Sequence, residues 1–306
     1  MRSGKNTNVV MSPMLDRRNP ALRFLRRLNR ITPNPGETER LDSRKSMIRK
    51  RLQKSFNVAG IQLIGSYSRG TSIAHHSDVD LLVTLRRNEA KWGGAMTSSF
   101  TVLDRVRSDL DSRFQTTDVR RDKQAIVVGF AQGRQRVDVV PALFSRMLDK
   151  APCFLIPDGN GGWLETCPRG HLIYLRRAQA RSKGKFYKTV QLLKHWKSTR
   201  IPTTHLRSFY IELWLAEARV CEGVKSYAQI LNDIFGHWGR YGFKRLSDPL
   251  ALSSGISAVQ TQVQLEQLNA AAELAANHAN RAIVATHNKQ FVEANDRWGT
   301  VFNGQF

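Results

Sequence analysis

Two apolar runs, Ile61-Gln62-Leu63-Ile64 and Leu81-Leu82-Val83-Thr84-Leu85, bracket a stretch that opens on Gly65-Ser66 and closes on Asp78-Val79-Asp80. Short apolar runs bounded by a glycine-bearing turn read as strand, turn and strand. Side chains alternate along a strand, so Asp78 and Asp80 share one face at a spacing of about 7 Å. Two carboxylates that close repel. A cation between them removes the penalty, and hard oxygen donors favour Mg²⁺ or Mn²⁺. Upstream, Gly65 lets a phosphate approach the backbone, while the Ser66 hydroxyl and nearby N–H groups can donate to its oxygens. The two ends of the stretch together describe a metal–triphosphate site.

A second pair of strands is expected in Ala125-Ile126-Val127-Val128-Gly129-Phe130-Ala131 and Arg134-Gln135-Arg136-Val137-Asp138-Val139-Val140-Pro141, joined as a hairpin at Gln132-Gly133. Asp138 stands between valines that face the other way, and a charge there is costly if it is buried without a partner. It is either an exposed strand carboxylate or a third member of the acidic set.

An apolar residue, Gly-Ser, eleven residues and Asp-apolar-Asp-apolar resembles the signature of the polymerase β-like nucleotidyltransferase superfamily, whose third carboxylate sits on a neighbouring strand. Val137-Asp138-Val139-Val140-Pro141-Ala142-Leu143 looks like the setting of that residue in the cGAS/DncV-like nucleotidyltransferases (CD-NTases, SMODS type). The resemblance implies an α/β (α+β) fold, with a polymerase β-like nucleotidyltransferase core sheet, helices and a C-terminal helical domain. It also implies an enzyme that joins ATP and/or GTP into a cyclic oligonucleotide second messenger with release of pyrophosphate. Asp78, Asp80 and Asp138 would be the catalytic, metal-holding residues for two Mg²⁺ or Mn²⁺ ions. Gly65 and Ser66 would bind nucleotide; so would Lys194 and Ser208, on the phosphates, and Phe209, stacked on a base with Tyr210 as competitor. Ser247-Asp248-Pro249 looks like the aspartate-proline that precedes the family's last long helix, and that helix is given a packing role without chemistry. A bacterial anti-phage role, acting through a separate effector protein that responds to the product, comes from the resemblance as well.

The chain has 306 residues, 41% hydrophobic and 24% charged, as in a soluble globular protein of one large or two modest domains. No apolar run approaches the roughly 20 residues that span a bilayer. The opening Met1-Arg2-Ser3-Gly4-Lys5-Asn6 leads into no signal-peptide core, so a cytoplasmic protein with no membrane partner is expected. Cys153, Cys167 and Cys221 fit no zinc or disulfide spacing and read as reduced thiols, and His75, His76, His195 and His205 show no ligand spacing.

Lys and Arg number 48 against 25 Asp and Glu, a formal charge of +23 that favours anionic partners. The imbalance is strong in two expected helices. Leu22, Phe24, Leu25 and Leu28 recur among Arg23, Arg26, Arg27 and Arg30; then, after a break at Pro33-Asn34-Pro35-Gly36, a second helix from about Thr38 places Leu41, Met47, Ile48 and Leu52 on one face. Their basic faces are either solvated surface or a groove for RNA or DNA phosphates.

The organisation expected is a flexible N-terminus over 1–18, a catalytic domain over 19–150 that includes the basic helices, and a helical nucleotide- and substrate-binding domain, oligoadenylate synthase-like, over 151–306. Trp92-Gly93-Gly94 breaks the chain before a helix marked by Phe100, Leu103, Val106, Leu110 and Phe114. Residues 151–180, rich in Pro and Gly, read as a long loop. A helix through Lys194 ends at Pro202, the next starts at the N-cap candidates Thr203-Thr204, and a last one carries Val259, Val263, Gln264, Leu268, Ala271, Ala275 and Ala279. Two other readings are an RNA terminal nucleotidyltransferase of the CCA-adding or tailing type, and a catalytically silent nucleic-acid-binding relative. Against the latter, a binder of nucleic acid gains nothing from three clustered acids.

Overall fold

The computed structural model describes residues 18–74, 78–130 and 135–306. The expected tail over 1–18 falls outside them except for Arg18, as do His75, His76 and the Gln132-Gly133 turn.

The chain begins with α1 (Pro20–Ile31) and α2 (Pro35–Ser55). Each starts on an asparagine whose side chain accepts a backbone N–H, Asn19 from Ala21 and Asn34 from Glu37, followed by Pro at the first helical position. The second helix therefore opens within the Pro-rich break, ahead of the expected start. Leu41, Ile48 and Leu52 of α2 are buried, but Met47 is on the exposed side.

There follow β1 (Val58–Ile64), the short α3 (Gly65–Arg69), β2 (Val79–Leu85), a small hairpin of β3 (Lys91–Trp92) and β4 (Ala95–Met96), α4 (Ser99–Arg113), β5 (Asp118–Asp122), β6 (Ala125–Phe130) and β7 (Gln135–Leu148). Next come β8 (Ala151–Pro157), β9 (Trp163–Thr166), α5 (Pro168–Arg181), α6 (Lys185–Arg200), α7 (Ser208–Ala218), α8 (Tyr227–Tyr241), α9 (Gln262–His287) and α10 (Phe291–Val301). The main sheet runs β1-β2-β7-β6-β5, and β8 and β9 extend it from the far end of β7. Every pairing in it is antiparallel except β2 with β7.

Residues 151–180 thus form a hairpin and a helix where a loop is expected. Pro152 and Pro157 lie near the two ends of β8, where a missing N–H is tolerated, and the glycines serve the hairpin turn. There Asp158 Oδ1 accepts from Asn160 and Gly162 N–H, and Gly159 and Gly161 take φ of 89° and 96°. Strands give way to helices at Cys167-Pro168.

Strand alternation sorts the sheet's two faces. Val79, Leu81, Val83, Val137 and Val139 pack with α2 and α4, while Leu82, Val140 and Ala142 join Phe154 and Ile156 on the other face. Asp80 and Asp138 share the parity of this second set.

A separate core fills the helical half, around Trp196, Trp238, Tyr210 and Phe235, and α1 belongs to it rather than to the sheet. Phe24 of α1 makes edge contacts with Trp298, Phe302 and Phe306, and the Ile31 carbonyl accepts the Ala74 N–H at 2.8 Å. The two basic helices therefore sit on different halves of the molecule. In α9 the buried stripe is Leu268, Ala272, Ala275, Ala279, Ala282 and Ala285, small side chains that let α8 and α10 pack closely, and Val263 is exposed. Cys153, Cys167 and Cys221 are buried free thiols. No helix among the described residues is long and apolar enough to cross a membrane.

Candidate active site

A cleft of about 530 Å³ opens between the second face of the sheet and the helical half. Gly65, Ser66, Asp78, Asp80, Asp138, Lys194 and Ser208 line it, joined by Arg69, Lys197 and Ser198. Seven of the eight residues singled out in the sequence are thus brought to one place.

The register of the sheet accounts for the acidic set. Asp80 pairs directly with Asp138 across the parallel strands β2 and β7, and Asp78 lies just ahead of β2. Ile64 pairs with Asp80 on the other side, so Gly65 follows immediately against that carboxylate. A Cβ on Gly65 would overlap Asp80 Oδ2 and fall 2.6 Å from its Cγ, and Gly65 itself has φ +65°. Glycine is required there on both counts.

Burial pushes Asp138 up to about 7, and the charges of Asp80 and Asp78 push the same way. Burial also pushes Asp80 up to about 6, with Arg69 opposing. Asp78 is raised by burial, with Arg136 and Arg120 opposing. Asp138 Oδ1 is enclosed and has no hydrogen-bond partner.

Among the described residues no group of three or more His, Cys, Asp or Glu side chains is gathered so as to hold a metal ion unaided. The aspartates form an open, mutually repelling set. Such a set fits a hard divalent ion that takes one or two carboxylates and completes its shell with water and substrate phosphate.

The opposite wall is built by α6 and α7. On α6, Lys194 and Lys197 are one turn apart and both reach the cleft. Lys194 Nζ is turned into the joint between the halves: it donates to the Thr71 carbonyl at 3.0 Å and lies 3.3 Å from Glu212 Oε1. Glu212, fully buried on α7, also accepts from Thr71 Oγ1 at 2.6 Å and ion-pairs with Arg69 Nε at 2.6 Å. Lys197 Nζ donates to Ser208 Oγ at 3.4 Å, and burial followed by the Lys194 charge lowers its pKa to about 8.

Sequence reasoning missed Lys197, Arg69, Thr71 and Glu212. Two signals were present: Lys197 repeats Lys194 at helical spacing, and Glu212 is a lone acid inside the apolar run Phe209-Tyr210-Ile211-Glu212-Leu213-Trp214.

Ser208 opens α7, four residues after the expected Thr204 cap. His205 at φ 55° and the buried Leu206 keep the intervening chain out of the helix, and the Arg207 N–H is donated to Ala258. Phe209 does not line the cleft; it is half-buried with its ring edge-on to His171 and under the Arg69 guanidinium. Tyr210 is fully buried with its hydroxyl donating to Lys244 O, which removes it as a stacking surface. Asp248 pairs with His171 at 2.9 Å and caps Leu250 N–H, away from the cleft lining.

Residues 20–178 match the family described as Second Messenger Oligonucleotide or Dinucleotide Synthetase domain (SMODS). A curated relative, the cyclic AMP-AMP-AMP synthase of Escherichia coli (strain MS 115-1), is 29% identical over 157 residues, which span 50% of this chain and 48% of that protein. The fold is similar to that of E. coli MS115-1 CdnC solved with ATP, at TM-score 0.71 and 20% identity over 95% of this chain and 99% of the other. It is also similar to that of Vibrio cholerae DncV cyclic AMP-GMP synthase with a linear intermediate, at TM-score 0.72 and 11% identity over 95% and 94% of the two chains. The family match takes in more than half of the chain and all three aspartates, so the protein belongs to the SMODS family of cGAS/DncV-like nucleotidyltransferases.

Proposed function

We propose that this protein is a metal-dependent nucleotidyltransferase that joins ATP and/or GTP into a cyclic oligonucleotide and releases pyrophosphate. The observation that carries the reading is the direct pairing of Asp80 with Asp138 in a cleft whose opposite wall offers Lys197 and Ser208.

Asp78, Asp80 and Asp138 would hold the metal, two Mg²⁺ or Mn²⁺ ions by resemblance. The bound metal would offset the crowded negative charge, favour ionisation of the attacking ribose hydroxyl and stabilise the departing pyrophosphate.

This chain's own part is placement. Ser66 donates to the triphosphate from the sheet side, while Lys197 and Ser208 meet it from the helical side, with the ammonium stabilising charge on the leaving phosphates. The contact of Gly65 with Asp80 fixes that carboxylate. Glu212, by holding Arg69, Thr71 and Lys194 together, fixes the Gly65–Arg69 turn relative to α6 and α7, so that nucleophile, phosphorus and leaving oxygen meet in line. Lys194 supports this wall, leaving Lys197 as the phosphate-facing cation. Phe209 is assigned no stacking role.

The partner class rests on the relative: CdnC of E. coli MS115-1 has been solved in a complex with HORMA. A HORMA-type partner, a separate effector and an anti-phage role belong to the same proposal.

Incubation with labelled nucleoside triphosphates, Mg²⁺ or Mn²⁺, and phosphatase tests it. Small phosphatase-resistant products are expected. Lengthened RNA would instead support a terminal transferase, and no incorporation under any of these conditions would overturn the reading.

A further inference from the structure

Arg18, Arg23, Arg26, Arg27 and Arg30 line a concavity of about 380 Å³ that Asn295 of α10 and Phe306 close. It shares no residue with the aspartate cleft, and among the described residues no acidic side chain lines it. An adjoining hollow shares Arg23, Asn295 and Phe306 and adds Arg200 and Asp296.

Four of the arginines recur along α1 at steps of three and four, where like charges face each other and destabilise a helix. Arg23 has local compensation: its Nη2 donates to the Phe306 carbonyl at 3.0 Å and its guanidinium lies 5.0 Å from the Phe306 ring centre. Arg27 has less. Its Nε is enclosed without a hydrogen-bond partner, and burial, then the charges of Arg30 and Arg23, lower its pKa. Asn295 is 7% exposed; its Nδ2 donates to the Arg18 carbonyl at 2.7 Å, but its Oδ1 is enclosed with no partner. The concavity therefore combines clustered cations, an enclosed unpaired donor and an enclosed unpaired acceptor.

We infer that this concavity binds a small, multiply phosphorylated molecule that also offers an N–H or O–H to Asn295. Guanidinium forks match phosphate oxygens in pairs, and a phosphate group concentrates more charge and more acceptors than a carboxylate in the same volume. A nucleic-acid backbone presents its charges spread along a track, whereas these arginines are gathered around one hollow. The site is separate from the triphosphate cleft, so the inference stands or falls independently of the synthase reading.

The test is calorimetry and thermal unfolding of the full chain with inorganic tripolyphosphate in EDTA. Wild type should bind and melt higher. Lys197→Ala, which removes the phosphate-facing cation proposed for the aspartate cleft but none of the arginines of this concavity, should keep both effects. Arg26→Ala, at an exposed position that folding tolerates, and Arg27→Ala should each weaken binding by about tenfold, the worth of one charged hydrogen-bond set. Arg27→Lys keeps the charge but not the fork and should fall between. The proposal is overturned by no binding to wild type, by binding that Arg26→Ala and Arg27→Ala leave unchanged, or by binding that Lys197→Ala abolishes. A melting shift produced by duplex DNA and not by tripolyphosphate would overturn it in favour of nucleic acid.

Discussion

Replacing Gly65 with alanine inserts one methyl group between β1 and the Asp80 carboxylate. The new Cβ would overlap Oδ2 and stand 2.6 Å from Cγ, where real Cβ contacts do not come under 3.0 Å, so the carboxylate must swing away. It cannot move without leaving its place beside Asp138. Displacing a catalytic group by about 1 Å costs on the order of 100-fold in rate. The backbone cost is separate: alanine at φ +65° loses about 1–2 kcal/mol, which lowers the melting temperature by roughly 2–3 °C in a chain of this size. Pyrophosphate release at saturating nucleotide and metal should therefore fall about 100-fold in Gly65→Ala while circular dichroism stays native. Activity within about threefold of wild type in the folded variant would refute the argument that this contact sets the position of Asp80.

Asp138→Asn should bind nucleoside triphosphate, measured by calorimetry, and lose turnover by at least about 100-fold; wild-type turnover would remove Asp138 from the reaction. Lys197 titrates at about 8, so it is an ammonium below that pH and neutral above it. Triphosphate affinity should fall by about tenfold in all as the pH rises through that value, and Lys197→Arg should flatten the profile; a wild-type profile flat between about pH 7 and 10 contradicts the assignment. Glu212→Gln leaves buried Lys194 and partly buried Arg69 without their counter-charge and should cost roughly 3–5 kcal/mol in urea unfolding. A loss under about 1 kcal/mol would mean that the buried ion group does not hold the two halves together.

The catalytic strands were legible because each carries its evidence in neighbouring residues: Gly65-Ser66 after one apolar run, Asp78 and Asp80 before the next, and Asp138 alternating with Val137 and Val139. Local pattern identified the strands, and the family signature supplied the expectation that Asp138 lies beside them. The β8–β9 hairpin was hidden because Pro152, Pro157 and the glycines of 159–162 mark loops and tight hairpins alike, and pairing with the strands on either side in the chain, β7 and Trp163–Thr166, decides between the two. The choice between Lys194 and Lys197 was equally out of reach. One turn of helix separates them, and what distinguishes them is Glu212, which tertiary packing brings to Lys194, and Ser208, which it brings to Lys197.

Phe24 is clasped by Trp298, Phe302 and Phe306, and seven residues on, the Ile31 carbonyl holds the amide of Ala74, the neighbour of a side chain in the reaction chamber. Helix α1 acts as a strut between this ring cluster and the rim above the carboxylates. A cut near residue 290 would slacken that strut, and the chamber would be disturbed without any of its own side chains being changed.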